Sequence, residues 1–157
     1  MFLKRLCKKI CPQKPPREVV LVFPYNSKKR EILLINEFIN HYDRSFWKFV
    51  SGGIDKKDTD HLTHAREELA EELEMEAENF YHLHSSEKVF GARGLHAYVA
   101  ENPQKMKNPP VNPDTDIITE TRWVGEKTLH EMIDNKKLLW NESSLMALQV
   151  FRLYKDK

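Results

Sequence analysis

The chain has two cysteines, no long apolar run and almost no net charge, and each shortage excludes something. Cys7 and Cys11 are too few for a disulfide framework. Four residues apart on a short helix, they could share a face and bind metal, but no further cysteine exists to complete a thiolate site. They read as free thiols in a reducing compartment, so a cytoplasmic protein is expected. No apolar stretch approaches the roughly 18 residues a membrane span needs. The opening "MFLKRLCKKICPQKPP" is broken by lysines and lacks the continuous apolar segment of a secretory signal. A formal charge of +1 gives no bulk argument for nucleic acid or for strongly acidic partners. Internal repeats and low-complexity tracts are absent as well.

What is present is enough for one soluble globular domain: 157 residues, 40% hydrophobic and 31% charged. The charge is unevenly placed. Residues 1–30 hold nine Lys or Arg against Glu18 alone, whereas residues 66–78 hold seven Glu against Arg66 alone. Phe2, Leu3, Leu6 and Ile10 suggest a short basic amphipathic helix, which either packs on its own domain or touches a membrane surface. The prolines of "CPQKPP" separate this arm, residues 1–16, from a domain spanning residues 17–157.

Within the domain, "EVVLVFPY" (18–25) and "EILLINEF" (31–38) read as buried strands joined by the polar turn "NSKKR", that is, as a hairpin. A short strand follows around Trp47–Val50. A helix is expected over about 60–75, with Thr59 or Asp60 as N-cap and Leu62, Ala65, Leu69 and Leu73 as its apolar stripe. Residues 81–100 read as strands broken near Gly91 and Gly94. The proline-rich stretch 101–116 reads as a long loop of the kind that often carries function. A strand at 117–124, a helix from Glu126 with Leu129, Met132 and Ile133 inward, and a closing helix at 141–154 capped by Asn141 complete the chain. The class is α+β.

"SGGIDKKDTDHLTHAREELAEELEM" (51–75) carries the chemistry. Like charges at neighbouring helical positions repel, and Glu67, Glu68, Glu71 and Glu72 crowd one short helix behind two glycines. Glu68, Glu71 and Glu72 stand at i, i+3 and i+4, on one helix face, with Leu69 and Leu73 turned away. Hard dications such as Mg²⁺ take oxygen ligands, usually a few carboxylates with waters and substrate phosphates. A glycine turn beside the helix admits backbone carbonyls to such an ion. A merely solvated acidic face is the plainer reading of the helix alone.

The same stretch resembles the signature of the Nudix hydrolases, G-x(5)-E-x(7)-R-E-U-x-E-E-x-G-U, where U is a bulky aliphatic residue. From Gly53 to Met75 it fits without a gap. Gly53, Glu68, Leu69, Glu71, Glu72 and Met75 match, while Thr59, Glu67 and Glu74 stand where the family has Glu, Arg and Gly. Glu67 reverses the charge of an arginine that pairs with the motif's acids, and Arg66 lies one position early. A helix can run on without a glycine cap, so the loss of the last glycine matters less for the chemistry. The hairpin, "FWKFVSGG" and the tail "TRWVGEKTLHEMIDNKKLLWNESSLMALQVF" extend the likeness, toward the ADP-ribose and nucleotide-sugar branch.

The resemblance implies a Nudix-like α/β/α sandwich with a mixed sheet. It also implies Mg²⁺- or Mn²⁺-dependent pyrophosphohydrolysis of a nucleoside diphosphate linked to another moiety. Glu68 and Glu72 would be the main metal ligands, Glu71 a ligand or water-positioning group, and the Gly53 carbonyl would complete the site. The general base would be an acid of the late loop: Asp114, Asp116 or Glu120. The partner implied is a nucleotide-containing small molecule; a homodimer is compatible with the sequence, and nucleic acid is not favoured. The alternative is a Nudix-like domain that binds a nucleotide or a protein without cleaving it. His61 and His64 offer a mixed His/Glu site or a solvated helix start, and His82, His84 and His96 face either a cleft or partial packing. Phe46 and Trp47 suit a stacked base or the core, and Arg44 and Arg93 phosphates or open surface.

Overall fold

The computed structural model describes residues 18–54, 59–86, 94–112 and 117–155. Its strands are β1 (Val19–Asn26), β2 (Glu31–Ile39), β3 (Arg44–Lys48), β4 (Val50–Gly53), β5 (Met75–Glu76), β6 (Asn79–Ser86), β7 (Leu95–Glu101), β8 (Gln104–Lys105) and β9 (Ile117–Gly125). The helices are α1 (His61–Leu73), α2 (Glu126–Asp134) and α3 (Asn141–Leu153).

Alternation along β1 sets the architecture. Leu21, Phe23 and Tyr25 face one way, and Val20 and Val22 face the other; all five are buried. A strand buried on both faces needs a layer on each side. On one face Leu21, Phe23 and Tyr25 join Ile32, Leu34, Leu129 and Met132 of α2 and Ala147, Val150 and Phe151 of α3. On the other, Val20 and Val22 join Leu33, Ile35 and Val50 beneath Ala65, Leu69 and Leu73 of α1. Each fully buried Leu, Ile, Val or Phe contributes roughly 1.5–3 kcal/mol. The result is the expected α/β/α sandwich.

The sheet is mixed because β1 runs parallel to β7, from Val19↔Leu95 to Tyr25↔Glu101. The expected hairpin exists, but it splays after Tyr25↔Ile32 and Asn26↔Glu31. Beyond that point β1 pairs with β4 and β2 with β3, while β9 pairs with β2 from Glu31 to Phe38. The opening brings the Gly-Gly segment of β4 onto the α1 face. β5 and β8 form a separate small ribbon.

Several local expectations change. The strand around Trp47–Val50 is two strands, β3 and β4. Asp60, not Thr59, caps α1: its carboxylate accepts from the Thr63 N–H at 3.0 Å. The helix does not run on, for Glu74 takes a left-handed conformation, φ 54°, and ends it. Asn141 is the first residue of α3, with Trp140 at the cap position. The loop at 101–116 contains β8, and residues 113–116 lie outside the described residues, as do the arm 1–16 and Gly91. Among the described residues no helix is long and apolar enough to cross a membrane.

Candidate active site

The site forms where α1 crosses the sheet. Leu69 and Leu73 anchor the helix, so Glu68 and Glu72, one turn apart, come down beside β4. The Ser51 N–H lies 3.4 Å from Glu72 Oε2 and donates to it. Gly52 is the close approach: a Cβ there would stand 1.8 Å from Glu68 Oε1 and 2.0 Å from Glu68 Cδ. Only glycine leaves that carboxylate its place. Strand parity adds two more groups. Lys48 lies opposite Ile35 on the α1 face, and Glu37 follows Ile35 by two. The Lys48 ammonium is hydrogen-bonded to the Glu37 carboxylate and stands 3.6 Å from Glu72 Oε1.

The electrostatics invite a cation. The Glu72 side chain is 3% exposed and that of Lys48 is 7% exposed. Burial pushes the Glu72 carboxyl from 4.5 up to about 8; the Lys48 charge and the Ser51 N–H oppose this, while Glu68 and Glu37 add to it. Among the described residues the Lys48 ammonium lies between Glu37 and Glu72, and burial still leaves the Glu72 charge costly. Oxygen donors grouped on one helix face and a glycine that makes room for Glu68 fit a hard dication such as Mg²⁺.

The other expected residues fall in several places. Gly53 ends β4, exposed and opposite Val19. Glu71 is half-buried on α1, beside Glu72. Glu120 is not brought to this group. It pairs in register with Asn36 on the α2/α3 face, and it is exposed and bound to Arg122 at 2.9 Å. Asp114, Asp116 and Arg93 lie outside the described residues.

Arg66 does not stand in for the missing motif arginine. Its guanidinium donates to the carbonyls of Ala77 (2.8 Å) and Glu78 (3.3 Å) and lies over Phe80. Glu67 faces His64 Nδ1 at 3.6 Å. Trp47 packs on the α2/α3 core with the Arg122 guanidinium over its ring. Phe46 is half-buried opposite Glu37, flanked by Tyr42 and by the guanidinium of Arg44.

Lys48, Glu37 and Gly52 were not candidates from the sequence. A lysine inside "FWKF" reads as a solvent-facing break in an apolar run, and only strand pairing shows that it points at the glutamate helix. His61 and His96 do meet, though at Glu18, which no motif marks.

This frame has known counterparts. The chain is similar to a solved structure described as "Crystal structure of ADP compounds hydrolase", with TM-score 0.71 and 16% identity, covering 91% of this chain and 76% of that one. At that identity the likeness is one of fold. No curated protein matches the chain in sequence. A family model, the NUDIX domain, matches residues 15–146. That span takes in the splayed hairpin, the Gly-Gly strand and the helix bearing Glu68 and Glu72, and the chain therefore belongs to the Nudix family.

Proposed function

We infer that the protein is a divalent-metal-dependent hydrolase of nucleoside diphosphates linked to a second moiety, of the ADP-ribose or nucleotide-sugar type. Family membership supports hydrolysis. The observation that carries the reading is the pair Glu68 and Glu72, one turn apart on α1 and set against Gly52. Glu68 and Glu72 would hold Mg²⁺ or Mn²⁺, with Glu71 as a further ligand or water-positioning group and Gly53 offering its carbonyl. When bound, the ion neutralises pyrophosphate charge and acidifies the attacking water.

The chain's own residues do the rest. Lys48 and the Ser51 N–H hold Glu72 in one orientation, and Gly52 admits the Glu68 carboxylate. Water attacks one phosphorus of the anhydride. The bridging P–O bond breaks, giving a nucleoside monophosphate and the phosphorylated second moiety. Asp114 and Asp116 are the proposed general-base candidates, since the strand position of Glu120 faces the other side of the sheet.

A second reading has its own observation. Lys48 already places a cation 3.6 Å from Glu72, and Glu67 occupies the motif's arginine position. These features suit a domain that binds a nucleotide without cleaving it. One experiment decides: ADP-ribose, nucleotide sugars, dinucleoside polyphosphates and nucleoside triphosphates are incubated with Mg²⁺, Mn²⁺ or chelator, beside Glu72→Gln. Metal-dependent release of a monophosphate, reduced at least a hundredfold in the variant, is expected. Silence across the panel from folded protein would transfer the assignment to the binding domain.

A further inference from the structure

A second set of metal-ligating side chains lies on the α1 face of the sheet, away from the glutamates. Glu18 immediately precedes β1, and its backbone is held on both sides: the Val19 N–H donates to Gly94 O, and the Ile54 N–H to Glu18 O, each at 2.9 Å. His61 opens α1 behind the Asp60 cap. His96 is the second residue of β7, opposite Val20, so strand parity puts it on the α1 face as well. Three elements distant in sequence thus converge.

Their donor atoms lie at the spacing of a ligand set, and a turn of one imidazole about its side-chain bonds would aim both Nε2 lone pairs at one ion. His61 Nε2 lies 3.0 Å from Glu18 Oε2, and His96 Nε2 lies 3.9 Å from the same oxygen. The three donor atoms are all within 4.8 Å of one another. Ligands at about 2.1 Å around a tetrahedral ion are separated by about 3.4 Å, between those two distances. The imidazoles stack with centroids 3.5 Å apart and planes 23° apart, and both Nε2 atoms approach one carboxylate oxygen. A simple His–Glu ion pair needs only one ring.

The surroundings prepare His96 for this role. Its Nδ1 lies 3.0 Å from Ser85 Oγ, which lies 2.7 Å from His82 Nε2. With His96 Nδ1–H donating to Ser85 and the Ser85 hydroxyl donating to His82, the His96 Nε2 lone pair is free toward Glu18. Gly94 leaves space, since a Cβ there would stand 3.3 Å from Glu18 Cγ and 3.5 Å from His96 Nε2.

We propose that Glu18, His61 and His96 form a second metal site, for a borderline transition-metal dication such as Zn²⁺, that staples the start of α1 to β1 and β7. Two imidazoles and a carboxylate select such an ion over Mg²⁺, which prefers oxygen ligands. His61 and Glu68 are seven residues apart, about 10 Å along the helix. Because its ligands come from the start of α1, the residue before β1 and β7, the ion acts by fixing the helix that carries Glu68 and Glu72. The proposal is independent of whether the glutamates catalyse hydrolysis.

The test is Zn²⁺ titration of the full chain, carrying Cys7→Ser and Cys11→Ser and held in excess Mg²⁺, followed by calorimetry and by ¹⁵N resonances of the histidine rings. One equivalent is expected to bind, shifting the Nε2 signals of His61 and His96. His61→Ala and His96→Ala are expected to weaken binding at least tenfold, while Glu68→Gln leaves it within twofold. Circular dichroism checks each variant, and Glu18→Gln, a milder change, should weaken binding as well if His96→Ala fails to fold. Three results would overturn the site: no Zn²⁺ bound at 100-fold excess, undiminished binding in the histidine variants, or loss only in Glu68→Gln.

Discussion

Glu72 is held in place by its own protein before any ligand arrives, with an ammonium on one oxygen and a backbone N–H on the other. The burial that orients it also makes its charge costly, which is why its pKa lies near 8 rather than 4.5. Between these values the folded chain keeps a proton that the unfolded chain has released. The folded state then binds more protons than the unfolded state, so this residue's contribution to stability is full below about pH 4.5 and is lost as pH rises toward 8. In chelator-treated protein, the urea midpoint should fall across this interval. Glu72→Gln, which cannot ionise, should flatten the fall, a difference on the order of 1–3 kcal/mol. Parallel profiles for the two proteins would contradict the assignment. Added Mg²⁺ favours the ionised form and should also reduce the slope in the wild-type protein.

At the scale of the element, α1 and β4 form one device, and two substitutions separate its parts. Glu74 ends the helix at φ 54°, where the family motif has glycine, and a side chain in that conformation costs roughly 1–2 kcal/mol. Its ion pair with Lys105, 3.7 Å apart and largely exposed, offsets little. Glu74→Gly should therefore raise stability by about 0.5–1 kcal/mol in denaturant melts, after the entropy of the more flexible unfolded chain is allowed for, and leave turnover unchanged. Gly52→Ala should do the reverse. The new Cβ meets the movable end of Glu68 rather than backbone, so the fold should persist with its melting temperature little altered. Metal-dependent turnover should drop tenfold or more as that carboxylate is displaced.

These two positions also mark how far the sequence could be read. Apolar alternation in "EVVLVFPY" and the i, i+3, i+4 spacing of the glutamates are local patterns, and both the strands and the acidic helix face followed from them. That Glu74 stops the helix depends on backbone conformation, which a glutamate does not announce. That Gly52 rather than Gly53 makes the close contact with Glu68 depends on how β4 lies against the helix. Lys48, Glu18 and His96 gain their partners through pairings across 11 to 78 positions, and no local period records such pairings.

At the scale of the whole molecule, the parallel pairing of β1 with β7 and the splay of β1 from β2 are what place the glutamate helix over Lys48 and the glycines. The acids of the site come from β2 and α1, elements distant in sequence that meet through the packed layer of Val20, Val22, Leu33, Ile35, Ala65 and Leu69 and across Lys48. An ion held by Glu68 and Glu72 would bind the folded chain and not the unfolded one, because the unfolded chain holds no such grouping. Mass action then makes binding a stability term of about 2.7 kcal/mol when free Mg²⁺ is 100 times its dissociation constant. For a chain of this size that corresponds to a rise in melting temperature of about 5–10 °C. Scanning calorimetry in Mg²⁺ and in chelator should show this rise. Glu68→Gln and Glu72→Gln should remove most of it. His61→Ala should retain it, since that residue lies about two turns from Glu68 and about three from Glu72 and belongs to a different set of ligands. A Mg²⁺-dependent rise of equal size in both glutamate variants would place the ion elsewhere on the molecule.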